Sequence, residues 1–261
     1  MAALSIAGVN HLPRLEKEAL YGSLIPRELL DRFGIGADLK DAAGNILAEF
    51  RCEAGATDVV VVLRHAPASP DPLLYAHVTD TVSGQIHVLL FILNDPDSPR
   101  FDVDRMPDGQ PTQFGLLRRN VEAEAAALSF GLAPGQVRRG LRLLEPSIFA
   151  FEGLVAQLGR DLYFVEPLFY HNAVLFERLG FAYQRGRRLM EGIHAGFQRS
   201  AGLARQLDGS TPFRMPQAAH SIRGRSWAIH DGLLGYAFQE VTMFKRVNGA
   251  ATVSTFPDGR W

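Results

Sequence analysis

Asp58-Val59-Val60-Val61-Val62-Leu63-Arg64-His65, then Leu73-Leu74-Tyr75-Ala76-His77-Val78-Thr79, then Gln85-Ile86-His87-Val88-Leu89-Leu90-Phe91-Ile92-Leu93: these three runs decide the fold. Each has the length of a strand, is dense in β-branched and aliphatic residues, and is bounded by Gly, Pro, Asp or Ser. The first is the most uniformly apolar and reads as a buried strand. The second and third are joined by Asp80-Thr81-Val82-Ser83-Gly84, a hairpin-like connection in which Gly84 supplies any positive φ. Upstream, residues 46–52 alternate apolar and polar side chains and follow a turn at 41–45, which adds a fourth strand. The first hundred residues are therefore expected to form a mostly antiparallel sheet, preceded by a short helix at 20–33 with Pro26 near its first turn.

Further along, residues 94–110 are rich in Asp and Pro and read as a surface loop. Residues 120–130 suit a helix or the approach to a strand. Residues 136–158 predict one kinked helix or two short ones, because Pro146 interrupts the pattern and Gly159 stops it. A strand at 160–165, a helix at 171–179 stopped by Gly180, and a strand at 181–184 follow. Residues 187–207 predict an amphipathic helix, apolar at Leu189, Met190, Ile193, Phe197 and Leu203. Residues 226–230 and 252–256 look like strands, and 233–247 are ambiguous. The fold class is mixed α/β, a central, largely antiparallel sheet flanked by helices, divided into a core at 1–185 and a C-terminal extension or small second domain at 186–261.

With 261 residues, 47% of them hydrophobic, the chain can bury a sizeable core without disulfides. Lys and Arg number 27 against 28 Asp and Glu, a formal net charge of -1, so no bulk field draws it to nucleic acid or an anionic membrane. The single Cys52 cannot form an internal disulfide and suits a reducing, cytoplasmic setting. Residues 1–10 lack the basic flank of a signal peptide, and the apolar runs are far shorter than the roughly 20 residues of a membrane helix.

Two stretches carry a functional signal: Gly135-Gln136-Val137-Arg138-Arg139-Gly140-Leu141-Arg142-Leu143-Leu144 and His171-Asn172-Ala173-Val174-Leu175-Phe176-Glu177-Arg178-Leu179-Gly180-Phe181. Together, over residues 127–183, they resemble the GNAT superfamily of acyl-CoA-dependent N-acyltransferases. In that family a basic, Gly-containing turn opens a helix that holds the pyrophosphate of acyl-CoA, and a strand and a second helix follow. The resemblance implies acyl-CoA as co-substrate, an amine acceptor, and Arg138, Arg139 and Gly140 around the pyrophosphate. Uncapped N–H groups, positive helix dipole and guanidinium donors would supply the binding. It also implies Asn172 against the pantetheine arm. The sequence departs from the family at Arg142, where a second Gly or Ala is usual, and at Phe176, where a proton-donating Tyr is frequent. Tyr170 is the nearest replacement acid by sequence. Residues beyond 183 fall outside the resemblance and would form an added domain or a dimerisation element, so a homodimer is one expectation. The same helical spacing and the same arginines also suit an amphipathic helix with a Gly cap and a solvated face.

The rival reading is a non-enzymatic or metal-dependent small-molecule-binding protein. It would use His65, His77 and His87 with Asp80, or residues 219–232, where Arg225, Trp227 and His230 gather in what reads as a turn-rich loop able to bind substrate. The histidines show no metal-ligand spacing, so no metal is expected. No Gly-x-Ser-x-Gly elbow, Rossmann fingerprint or P-loop is present.

Overall fold

The computed structural model describes residues 4–112, 118–198 and 202–261. The fold class is as expected: a seven-stranded, mostly antiparallel sheet flanked by helices. Strands β1 (Ala48–Arg51), β2 (Asp58–Leu63), β3 (Leu74–Asp80) and β4 (Ile86–Leu93) form an antiparallel meander. Strand β5 (Leu162–Val165) runs parallel to β4, and the sheet order is β1-β2-β3-β4-β5-β7-β6, with β6 at Ala182–Arg185 and β7 at Thr242–Arg246. The last strand in the chain thus inserts between its two predecessors.

Helices α1 (Ile6–Asn10), α2 (Arg14–Gly22) and α3 (Arg27–Phe33) precede the sheet. The single helix expected at 20–33 is two, because Pro26 holds φ -67 and ψ 139 and stands as the N-cap of α3. Its ring removes the N–H that a continuous helix requires. Residues 120–130 settle as helix α4 (Val121–Phe130), with Asn120 accepting from the Ala123 N–H and Gly131 ending it at φ 93.

The helix expected at 136–158 begins only at Leu144, as α5 (Leu144–Gln157). Gly135 at φ 77 and Arg142 at φ 61 hold the preceding segment in left-handed turns that no right-handed helix contains. Helix α6 (Tyr170–Arg178) matches the reading of 171–179. The helix expected at 187–207 is realised as α7 (Arg187–Gly196) and α8 (Gly202–Arg205), with residues 199–201 outside the described set.

Residues 226–230 are not a strand. They lie in helix α9 (Ile222–His230), capped by the Ser221 hydroxyl accepting from the Gly224 N–H and preceded by a 3₁₀ turn at Pro216–His220. Residues 252–256 also form no strand, although Thr255 and Phe256 are buried. Residues 233–247 become turns followed by β7.

The chain divides into two compact units, each assembled from separated stretches. Unit 1 comprises residues 1–98, 140–165 and 244–249, and unit 2 comprises 99–139, 166–243 and 250–261. The boundary expected at 185/186 falls inside unit 2. The core of unit 1 is built on the buried faces of β2 and β3, with Val59, Val61, Leu63, Leu74, Ala76 and Val78 all essentially inaccessible. Unit 2 is centred on Trp227, which stacks on Phe213 at 5.1 Å and packs with Ala127, Leu132 and Val103. Among the described residues no helix is long and apolar enough to cross a membrane.

Candidate functional site

In unit 1 the sheet is interrupted at one place. Strand β4 pairs with β3 in regular antiparallel register from Leu74 opposite Leu93 to His77 opposite Leu90, then resumes with Val78 opposite Val88. Leu89 is left out of the pairing, which is the geometry of a β-bulge. On the other side, β4 pairs with β5 only at Ile86, His87 and Val88, opposite Tyr163, Phe164 and Val165. The bulge and the end of the parallel pairing therefore coincide. Beyond Val88, β4 continues for five residues with β3 on one side and no β5 residue opposite on the other. Pro167, which has no N–H to offer a ladder, follows shortly after Val165.

The consequence is visible in accessibility. Strand β2 is almost wholly buried, whereas Leu90, Phe91, Ile92 and Leu93 on the more central β4 are only half-buried and Leu89 is 38% exposed. Among the described residues no strand pairs with residues 89–93 on the side away from β3, and the apolar side chains beside them are accessible; such an edge is one that an extended molecule containing amides can join as an added strand.

Residues 140–143 lead into α5 within the same unit. Arg142, exposed, occupies the left-handed region at φ 61, a conformation that glycine adopts freely and other residues adopt at a cost. Leu143 caps α5 without any side-chain hydrogen bond, so no side chain at that position takes up the first-turn N–H groups. Glu145 lies in that first turn and is exposed. The helix is anchored by Glu152, 5% exposed, which pairs with Lys245, accepts from the Asn248 N–H at 2.9 Å and from the Tyr163 hydroxyl at 3.3 Å. A surface groove of about 940 Å³ lies elsewhere in unit 1, along α2, α3 and β1. Its charged side chains are paired, Arg14 with Glu18, Arg27 with Asp31, Lys40 with Asp38, and Glu49 with Arg51 and Arg64 beside the groove.

In unit 2 the other expected site residues are dispersed. Gly135 is structural: at φ 77, a Cβ there would lie 2.5 Å from the Phe169 ring. The Arg139 guanidinium lies 5.0 Å over the Phe130 ring, and Arg138 is half-buried. Asn172 accepts from the Phe169 N–H at 3.2 Å, an N-terminal capping role for α6. Phe176 packs on Phe181 at 4.9 Å. Tyr170 is fully buried and its hydroxyl has no hydrogen-bond partner among the described residues. Burial pushes its phenol up to about 12, opposed by the Arg225 guanidinium.

Arg225, Trp227 and His230 do not form one site. On a helix, Arg225 and Trp227 are roughly 200° apart around the axis. Arg225 turns towards the Ala219 carbonyl and His194, and Trp227 donates from Nε1 to the Leu132 carbonyl at 2.8 Å. His230 meets Glu124 at 3.0 Å, and Glu124 also accepts from Arg119, which continues to Asp231 and thence to Arg214. This buried ladder alternates charge and is internally compensated.

His171 and Ser226 stand 2.9 Å apart, a pairing the sequence did not suggest. It is not a nucleophile and its base. The Phe169 N–H fixes Oδ1 of Asn172 as the acceptor, so Asn172 Nδ2 donates to His171 Nε2 at 3.2 Å. The ring proton therefore sits on Nδ1 and is donated to Ser226, leaving the imidazole unable to take a proton from that hydroxyl. Burial, followed by the neighbouring His230, pulls the His171 pKa down to about 3. Of the sheet histidines, His77 contacts Asp58 at 2.9 Å, and among the described residues no group of three or more His, Cys, Asp or Glu is placed to hold a metal.

The fold and this site define a mixed α/β protein whose sheet opens at a bulge in its fourth strand. Comparison of the chain with protein-family models, with curated proteins and with solved structures finds no match in any of the three.

Proposed function

We propose that the protein is an acyltransferase-like protein that moves an acyl group from acyl-CoA to an amine acceptor. The observation that carries this reading is the coincidence of the Leu89 bulge with the parting of β4 from β5. The pantetheine arm of acyl-CoA is an extended chain with two secondary amides, and those peptide groups of residues 89–93 that face away from β3 offer the complementary donors and acceptors. The apolar side chains beside them suit its methylene segments.

Two further features fit. Residues 140–143 meet an uncapped helix N-terminus, a setting that favours phosphate. Arg142 keeps the backbone conformation that a glycine would hold at the position where the family usually has one. The chemistry on this reading is direct attack of a positioned amine on the thioester carbonyl, with the thiolate of CoA as leaving group. Phe176 cannot protonate that thiolate, so water is the proton source that the reading requires.

The test is isothermal titration with acetyl-CoA and with a long-chain acyl-CoA, using the intact protein, a Leu89→Asp variant and an Arg142→Glu variant. Leu89 is exposed enough for the first substitution to leave the fold intact. Saturable binding that weakens at least tenfold in both variants is the expected result. Absence of saturable binding to either donor overturns the proposal.

A further inference from the structure

Arg225 is buried, with only 3% of its surface accessible, yet no carboxylate lies within ion-pair distance of it among the described residues. Its Nε donates to the Ala219 carbonyl at 2.7 Å and one terminal nitrogen faces His194 Nδ1 at 3.2 Å. The guanidinium is held between two rings, 3.6 Å from the Phe256 centroid and 4.8 Å from that of Phe197. The guanidinium also faces the Tyr170 hydroxyl. Buried cations are ordinarily neutralised, because removing a charge from water costs far more than stacking on aromatic faces returns.

A second group with the same deficit lies beside it. The Tyr170 hydroxyl is completely buried, unpartnered, and within electrostatic reach of Arg225. Glu177, the buried carboxylate that also acts on Tyr170, spends its oxygens on the Tyr183 hydroxyl at 2.6 Å and on Thr255 through its N–H and hydroxyl at 2.9 and 2.7 Å. The Tyr170 oxygen can accept from the guanidinium, which leaves the phenol O–H without an acceptor and the cation without a negative charge. His194, half-exposed on α7, joins this cluster to the surface.

We propose that Arg225 and Tyr170 form a binding site for a small monovalent anion, a halide ion or the carboxylate of a small ligand. The site stands apart from the acyltransferase reading and does not depend on it. Its anion accepts from the Tyr170 hydroxyl and offsets the charge of the Arg225 guanidinium, whose faces are covered by the rings of Phe197 and Phe256.

The test is thermal unfolding of the full chain titrated with sodium bromide and, separately, sodium acetate, at ionic strength held constant with sodium sulfate, whose dianion is neither a halide nor a carboxylate. Expected is a saturable rise in Tm, about 2–4 °C for each fivefold increase in anion above its Kd. Tyr170→Phe, which keeps the buried ring and removes only the hydroxyl, is expected to fold and to weaken the response severalfold. Arg225→Met is expected to abolish it. Response to bromide alone identifies a halide site, and response to acetate as well identifies a carboxylate site. A Tm indifferent to the anion at constant ionic strength, or a wild-type response retained in Tyr170→Phe, overturns the proposal.

Discussion

Val88 has a strand on each side, Val78 of β3 and Val165 of β5, and is the last residue of β4 that does. The next residue, Leu89, pairs with neither. One peptide step thus separates a closed sheet from an open one, and the residues that follow on β4 are a strand in shape with only half its ladder formed.

Arg142 is exposed and sits at φ 61, so its side chain contributes little while its backbone bears the cost of the left-handed region. Arg142→Gly is expected to stabilise the protein by up to about 1 kcal/mol, and Arg142→Val to destabilise it by about 1–2 kcal/mol. Urea unfolding of the two variants measures the difference. Equal midpoints would show that the turn relaxes without penalty.

Glu145 places a negative charge in the first turn of α5, where it competes with any phosphate for the N–H groups and the helix dipole. Glu145→Gln is expected to tighten acyl-CoA binding by up to about fivefold, with the gain shrinking as salt is raised. Calorimetric titration at two ionic strengths checks both parts.

Lys245 and Glu152 form an ion pair between β7 and α5 in the interior of unit 1. Lys245→Met leaves a buried carboxylate with only neutral donors, and is expected to cost about 3–5 kcal/mol. Lys245→Met combined with Glu152→Leu should cost less than the single change, since it removes the unpaired charge. Denaturant unfolding of the single and double variants is the measurement, and a double variant worse than Lys245→Met would show that Glu152 acts chiefly through Asn248 and Tyr163.

His171 has its pKa lowered from 6.5 in the unfolded reference to about 3 in the folded protein. Above pH 6.5 the ring is neutral in both states and stability is unaffected. As the pH falls below that value the unfolded chain takes up a proton that the folded chain refuses, so stability declines by at most about 1.4 kcal/mol per pH unit towards pH 3. Between pH 6.5 and 5, before carboxylates intervene, His171→Gln is expected to flatten the dependence. Unfolding free energies at pH 7 and pH 5 for the two proteins decide it.

The strands β1 to β4 were legible because their pattern is local: alternation, β-branching and turn residues all agree within each run. Other features obeyed no local pattern. Ser221-Ile222-Arg223-Gly224-Arg225-Ser226-Trp227 contains so many turn-prone residues that it reads as a loop, yet Ser221 acts as an N-cap and the rest follow as helix, which sends Arg225 and Trp227 to opposite faces. The Leu89 bulge carries no glycine and lies within a continuous apolar run, so nothing in its neighbours marks it. Tyr170 faces Arg225 and His171 meets Ser226, partners more than 50 residues away in sequence. Only the completed packing brings these together.

Strand β7, residues Thr242–Arg246, takes its place between β5 and β6, both of which precede it by more than 50 residues. During synthesis the chain emerges from its N-terminal end, so β5 and β6 are exposed to the cell before the strand that belongs between them has been made. Until then each presents an unsatisfied edge, the kind of surface that invites pairing with another chain. The sheet is therefore completed by a strand made after both of its neighbours, and a chain cut short before Thr242 is not a smaller version of this protein but an open one.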